Sequence, residues 1–220
     1  MKRSESQSNS KKKRDTSGQL KAIKNVMGLL PGQAGEYFDR LECLLKTNAP
    51  INVLVYGQVN HGKSSFLNAW IGKEQLFKTA DVRTTVEVQK YADKKNDIIW
   101  WDTPGLQADV ADEKEANDAI KIADIVFLVH ECKSGELDTR EIEFIDKYTG
   151  SIGANKVRLL LTKIDENKDE IETIITRIKS QISKYDIDVF PISSNRFSKG
   201  TREDKRVLIE RSGFAKIKTE

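Results

Sequence analysis

The residues Gly57-Gln58-Val59-Asn60-His61-Gly62-Lys63-Ser64 fit the pattern G-x-x-x-x-G-K-[ST], and Ser65 follows them. Glycines at the two ends let the backbone wrap a phosphate and turn its amides inward. Lys63 is placed to reach the β- and γ-phosphates of a nucleotide, and the Ser64 hydroxyl to complete a Mg²⁺ shell. Further along stands Asp102-Thr103-Pro104-Gly105. A carboxylate there can hold Mg²⁺ through water, and Gly105 can offer its backbone N–H to the γ-phosphate because no side chain intervenes. Between these strings lies Thr79-Ala80-Asp81-Val82-Arg83-Thr84-Thr85. A loop threonine, assigned to Thr85, can ligate Mg²⁺ and donate its amide to the same phosphate, so that loss of the phosphate frees the loop. Lys63, Thr85 and Gly105 are the candidate catalytic groups; Ser64, Thr85 and Asp102 are the candidate metal ligands.

A third group would read the base. Thr162-Lys163-Ile164-Asp165 ends an apolar run. The Asp165 carboxylate can accept from guanine N1–H and the exocyclic amino group together. Adenine has no such donor pair, and a polar site left unsatisfied by an analogue discriminates by roughly 10⁴-fold or more. The stem of Lys163 can lie across the base. Ser193-Ser194 can present a backbone amide to guanine O6. Taken singly, each string also describes an inert loop or a solvent-facing strand end. In this order and spacing they point to one guanine nucleotide with its Mg²⁺.

The elements around these strings support that reading. Residues 51–57 (INVLVYG) form an apolar run that ends on Gly57 and suits a buried parallel strand, with a helix over 62–71. Strands are expected at 85–91, 96–102, 124–131, 156–163 and 188–193, and helices at 113–122, 138–148 and 167–184. Such alternation implies an α/β fold: a three-layer α/β/α P-loop NTPase domain with a mostly parallel six-stranded sheet. Ligands of these sheets sit at the carboxyl ends of the strands. Trp100 and Trp101 should face opposite sides of the sheet, and Trp70 should pack the first helix of the domain onto it. The acidic stretch 111–118 reads as a solvated helix start.

Three regions follow from composition. Residues 1–18 are polar, basic and aperiodic, which predicts a disordered tail. Residues 19–49 hold two short helical patterns broken by Pro31-Gly32. Residues 50–220 are the main domain, with a final helix expected to be truncated after Ser212-Gly213-Phe214. The chain has 220 residues, 32% of them charged, and a net charge of +3. Lys2, Arg3, Lys11, Lys12, Lys13 and Arg14 concentrate that charge in the tail. The tail is suited to anionic membrane or RNA, and no specific DNA binding is expected. No apolar run reaches the roughly 18 residues of a membrane span, and Cys43 and Cys132 lack metal-like spacing. The expected location is cytoplasmic, with a peripheral membrane association through the tail as an alternative. His61 is expected to face solvent or the nucleotide edge, with a role in positioning water as a minor alternative. His130 is expected to be a satisfied structural residue. The sequence offers the two histidines no partner cluster that argues for zinc.

Together these strings resemble the GTPases related to translation factors, over roughly residues 50–195. Gly57–Gly72 and Asp102–Leu106 look like the Era, tRNA-modification GTPase and dynamin-like branch, and the stretch 130–144 is similar to bacterial dynamin-like GTPases. The resemblance implies Gly57, Lys63, Ser64, Thr85, Asp102, Gly105, Lys163 and Asp165 as the nucleotide and Mg²⁺ residues. Leu106 stands where Ras-like members carry a water-orienting glutamine, with Gln107 one place off. Val59 stands where those members need glycine to admit an arginine finger. Asn60 matches the asparagine that helps coordinate K⁺ in potassium-activated members. The expectation is slow GTP hydrolysis raised by K⁺ or by homodimerisation across the nucleotide face. A non-hydrolysing GTP-bound interaction module or fragment of a membrane-associated dynamin-like protein, and an Era-like ribosome- or RNA-associated GTPase, remain alternatives.

Overall fold

The chain divides between Ala49 and Pro50, and the fold concerns the second unit. The computed structural model describes residues 49–77, 89–103, 119–153, 156–166 and 170–219. The basic tail, both amino-terminal helical patterns, the 79–85 loop and residues 104–118, Gly105 among them, lie outside the described residues.

The run of β-branched and aliphatic residues from Ile51 builds β1 (Ile51–Gly57), and α1 (Lys63–Ile71) follows the phosphate loop. Next come β2 (Gln89–Asp93), β3 (Ile98–Asp102) and β4 (Ile125–Glu131). A single 3₁₀ turn, Cys132–Ser134, leads to α2 (Thr139–Ile152). Then follow β5 (Val157–Thr162), α3 (Ile171–Gln181) and β6 (Val189–Pro191). The chain continues through α4 (Ser194–Arg202), α5 (Arg206–Glu210) and α6 (Phe214–Thr219). The six strands lie in the order β2-β3-β1-β4-β5-β6. Among the described residues only the β2–β3 pairing is antiparallel.

Two apolar layers sandwich the sheet. Strands with a period of two present Leu54, Tyr56, Trp101, Leu128 and Leu161 to one face, covered by Ile145 of α2 and Ile178 of α3. Val53, Val55, Trp100, Val129 and Leu160 face the other side, covered by Phe66 of α1 and Phe214 of α6. Trp100 and Trp101 therefore do point to opposite layers. Trp70 packs against Trp100 with ring centroids 5.7 Å apart, as its place on α1 implied.

The structure departs from the sequence reading in detail. Of the strand read as 85–91, the described part is β2, which runs from Gln89 on to Asp93, and the turn at Asn96 and Asp97 delays β3 to Ile98. Two helices after β6 had no counterpart in the expected elements. α4 is a polar segment whose Ser193 cap accepts from Arg196 N at 3.0 Å. Gly200 lets α5 come close: a Cβ there would lie 2.8 Å from an Ile209 side-chain atom. Among the described residues no helix is long and apolar enough to cross a membrane.

Candidate functional site

Register decides where the motifs meet. Val55 pairs with Asp102, Gly57 with Val129, Glu131 with Thr162 and Leu161 with Pro191. The carboxyl ends of the five parallel-running strands thus form one rim. The phosphate loop, Asp102, Thr162–Asp165 and the start of α4 all open from it.

The loop's glycines have separate jobs. Gly57 sits so close to β4 that a Cβ would lie 2.3 Å from Val129 O. Gly62 adopts φ 93° as the cap of α1 and supplies no side-chain hydrogen bond to the helix. The first helical bond is donated by Phe66 N to Gly62 O at 2.9 Å. The amides of Lys63, Ser64 and Ser65 therefore have no intrahelical acceptor and form, with the helix dipole, an anion cradle. Asn60 is exposed, with φ 65°.

Lys63 is almost fully buried at 7% exposure. Its Nζ donates to Gly57 O at 3.0 Å and Gln58 O at 2.7 Å. Burial lowers its pKa to about 8, against the opposing pull of Asp102. Asp102 is wholly buried; burial raises its pKa to about 6, against hydrogen bonding from Ser64 and the charge of Lys63. Ser64 Oγ donates to Asp102 Oδ2 at 2.8 Å, while Asp102 Oδ1 has no hydrogen-bond partner. A buried carboxylate with one orphaned oxygen, beside a hydroxyl and at the mouth of an anion cradle, fits a hard divalent cation such as Mg²⁺. Ser64 and Asp102 are the described residues that would hold it.

At the base-reading end, Thr162 Oγ1 donates to His61 O at 2.6 Å and lies 3.2 Å from His130 O. Lys163, at φ 56°, pairs its Nζ with Glu131 Oε2 at 2.8 Å. Asp165 is half-buried. Burial pushes its carboxyl up, but hydrogen bonds from Ser193 and Asn195 outweigh that and hold it below the usual carboxylate range. Asn195 Nδ2 reaches Asp165 Oδ2 at 3.2 Å. Asn195 was not singled out in the sequence; its place in the first turn of the helix after β6, two residues past the Ser193 cap, was the available signal.

Two expectations change. Ser193 N donates to Ser212 O at 2.8 Å, so its amide is committed to the fold and does not face a base. Ser194 opens α4, where first-turn amides lack intrahelical acceptors. His61 faces neither solvent nor the rim. It is 7% exposed, with Nδ1 turned to within 3.6 Å of Glu141 Oε1. A buried carboxylate on the neighbouring helix attracts the imidazole more than open solvent does. His130 is structural as expected, its Nδ1 2.9 Å from the same oxygen.

The family model described as 50S ribosome-binding GTPase matches residues 52–192. The chain belongs to this family. An uncharacterised protein of Acinetobacter baylyi is 34% identical over 203 residues, covering 89% of this chain and 47% of that protein. GTPase Der of Persephonella marina is 32% identical over 171 residues, covering 70% of this chain and 36% of Der. The chain thus spans less than half the length of either relative. Among solved structures, an oligomerised bacterial dynamin pair aligns with TM-score 0.65 at 17% identity, over 92% of this chain and 49% of that one. Era in complex with MgGDPNP and 16S ribosomal RNA aligns with TM-score 0.58 at 21% identity, over 73% of this chain and 56% of that one. These structural likenesses establish the shared fold of this GTPase domain.

Proposed function

We propose that this domain binds GTP with Mg²⁺, hydrolyses it to GDP and phosphate, and uses the exchange as a conformational switch. The observation that carries the reading is the single rim on which the Lys63 cradle, the Ser64–Asp102 pair and the Asp165 carboxylate open together. Lys63 Nζ rests on two loop carbonyls. A triphosphate offers its ammonium a better partner, so binding draws Nζ off Gly57 O and Gln58 O and onto the β- and γ-phosphates. The α1 amides take the phosphate oxygens. Ser64 and Asp102 hold Mg²⁺, which when bound neutralises charge on the β- and γ-phosphates. Asp165, kept ionised by its neighbours, accepts the two guanine donors. Thr85 and Gly105, outside the described residues, are the groups through which the γ-phosphate would act on the two switch loops.

The catalytic supplement is K⁺ held near Asn60, or a second copy of the chain across the nucleotide face. Leu106 cannot orient water, so intrinsic turnover is slow. Single-turnover hydrolysis in K⁺ and Na⁺ buffers, at several protein concentrations, tests this. The proposal expects faster hydrolysis in K⁺ or at higher protein concentration. Equal rates under all conditions would remove both stimulants, and no hydrolysis at all would leave a static GTP-bound module.

A further inference from the structure

Beneath the phosphate loop two histidines and a glutamate meet from three elements. His61 comes from the loop, His130 from the end of β4 and Glu141 from the first turn of α2. All three are buried, and their ligand atoms lie within 4.8 Å of one another. Their chemistry is not used by the GTP reading.

Three observations point to a cation among them. His61 Nδ1 is buried without a hydrogen-bond partner and lies 3.6 Å from Glu141 Oε1. An imidazole nitrogen left unpaired in the interior calls for an explanation, and a bound ion is one. His130 poses a matching problem. Its Nε2 faces Gly135 O at 3.1 Å and its Nδ1 faces Glu141 Oε1 at 2.9 Å. Both neighbours are acceptors. If the neutral ring donates from Nε2, its Nδ1 lone pair faces the carboxylate and a cation between them relieves the repulsion; if it donates from Nδ1, the pair is an ordinary hydrogen bond and Nε2 faces the carbonyl. The outer partners are also in place. The Gly135 carbonyl orients His130, and Glu141 Oε2 accepts from Asp138 N at 3.0 Å. Metal-ligating histidines and carboxylates keep partners of this kind.

The spacing agrees. With bonds of about 2.0–2.1 Å and tetrahedral angles, ligand atoms on zinc stand about 3.3 Å apart. The two separations to Glu141, 2.9 and 3.6 Å, bracket that value, and all three ligand atoms lie within 4.8 Å of one another, so the two histidines need only a small approach. Two imidazoles with one carboxylate suit Zn²⁺ or its neighbours Co²⁺ and Ni²⁺, not Mg²⁺. Three protein ligands leave a fourth place for water.

We propose that His61, His130 and Glu141 bind a divalent transition-metal ion of the zinc class, at a site sharing no residue with the Ser64–Asp102 pair. The ion clamps the phosphate loop, one residue before Gly62, to the start of α2.

The test uses the untagged full chain, stripped with a chelator and held in excess Mg²⁺ to fill hard-oxygen positions. Co²⁺ is titrated and its visible absorption read, then Zn²⁺ is added to displace it. The proposal expects one equivalent with the intense spectrum of tetrahedral Co²⁺, erased by Zn²⁺. His61→Ala and Glu141→Gln, each checked by circular dichroism, should weaken binding at least about 10-fold. Where a variant does not fold, the wild-type chain decides: Zn²⁺ should raise its unfolding midpoint and saturate at one equivalent. Absence of the tetrahedral spectrum, no such Zn²⁺ stabilisation, or a spectrum that survives either folded substitution would overturn the proposal and leave a hydrogen-bonded cluster only.

Discussion

The hydroxyl of Thr162 donates to the main-chain carbonyl of His61 at 2.6 Å, across 101 residues of sequence. One buried oxygen thus ties the strand that ends in the base-reading loop to the loop that cradles phosphate. Thr162→Val keeps the shape and removes the donor, leaving the buried carbonyl of His61 short of a partner. The expected cost is about 1–3 kcal/mol of stability. GDP affinity should fall while base preference persists, because Asp165 is untouched. Chemical denaturation and calorimetry of the variant check both.

Asp102 carries a charge that burial disfavours, which is why its pKa stands at about 6. Asp102→Asn removes that charge. The Mg²⁺-free protein should be as stable as the parent or more stable by up to about 2 kcal/mol, since a raised carboxylate pKa marks an ionisation that the fold opposes. Mg²⁺-dependent tightening of nucleotide binding should disappear. Thermal melts with EDTA and nucleotide titrations with and without Mg²⁺ read the two effects separately.

Asp165 accepts; an amide in its place can donate. Asp165→Asn should therefore lose guanine affinity and gain for xanthine, which carries a carbonyl where guanine has its amino group. Asn195→Ala should weaken GDP binding several-fold without changing base preference, because it removes only a hydrogen bond that orients Asp165. Competition among guanine, xanthine and adenine nucleotides measures both.

Glu141 gives the metal-free protein an acid limit. Burial pushes its carboxyl up, but the hydrogen bond with His130 and the His61 imidazole 3.6 Å away prevail and its pKa falls to about 2. A depressed folded-state pKa contributes stability that is present above the ordinary value of 4.5 and lost as pH falls through about 2. Glu141→Gln should cost about 3 kcal/mol at neutral pH, where it breaks a buried pair, and progressively less below pH 4.5. Denaturant midpoints from pH 7 to pH 3 would track the difference.

The central sheet was legible because its strands are buried on both faces and read as unbroken apolar runs, as in Val53–Tyr56 and Leu159–Leu161. The phosphate loop and Asp165 were legible because binding phosphate and guanine demands particular residue types at fixed spacing. α4 and α5 were missed because α4 is polar and α5 is short; a serine cap and the close approach at Gly200 hold them in place, not an apolar stripe. The turning inward of His61 was hidden for another reason. Its partner Glu141 lies 80 positions away on a helix whose capping box explains a glutamate there without any histidine. Contacts made only by the fold leave no periodic trace in the chain.

The central claim is that the rim binds one guanine nucleotide. Calorimetric titration of the folded protein with GDP and, separately, ADP in Mg²⁺ tests it most directly. The account predicts one site for GDP and binding at least about 100-fold weaker for ADP, within the range a buried hydrogen-bonding site can enforce. Equal affinity for the two nucleotides, or no binding of either by a chain whose fold is intact, would contradict it.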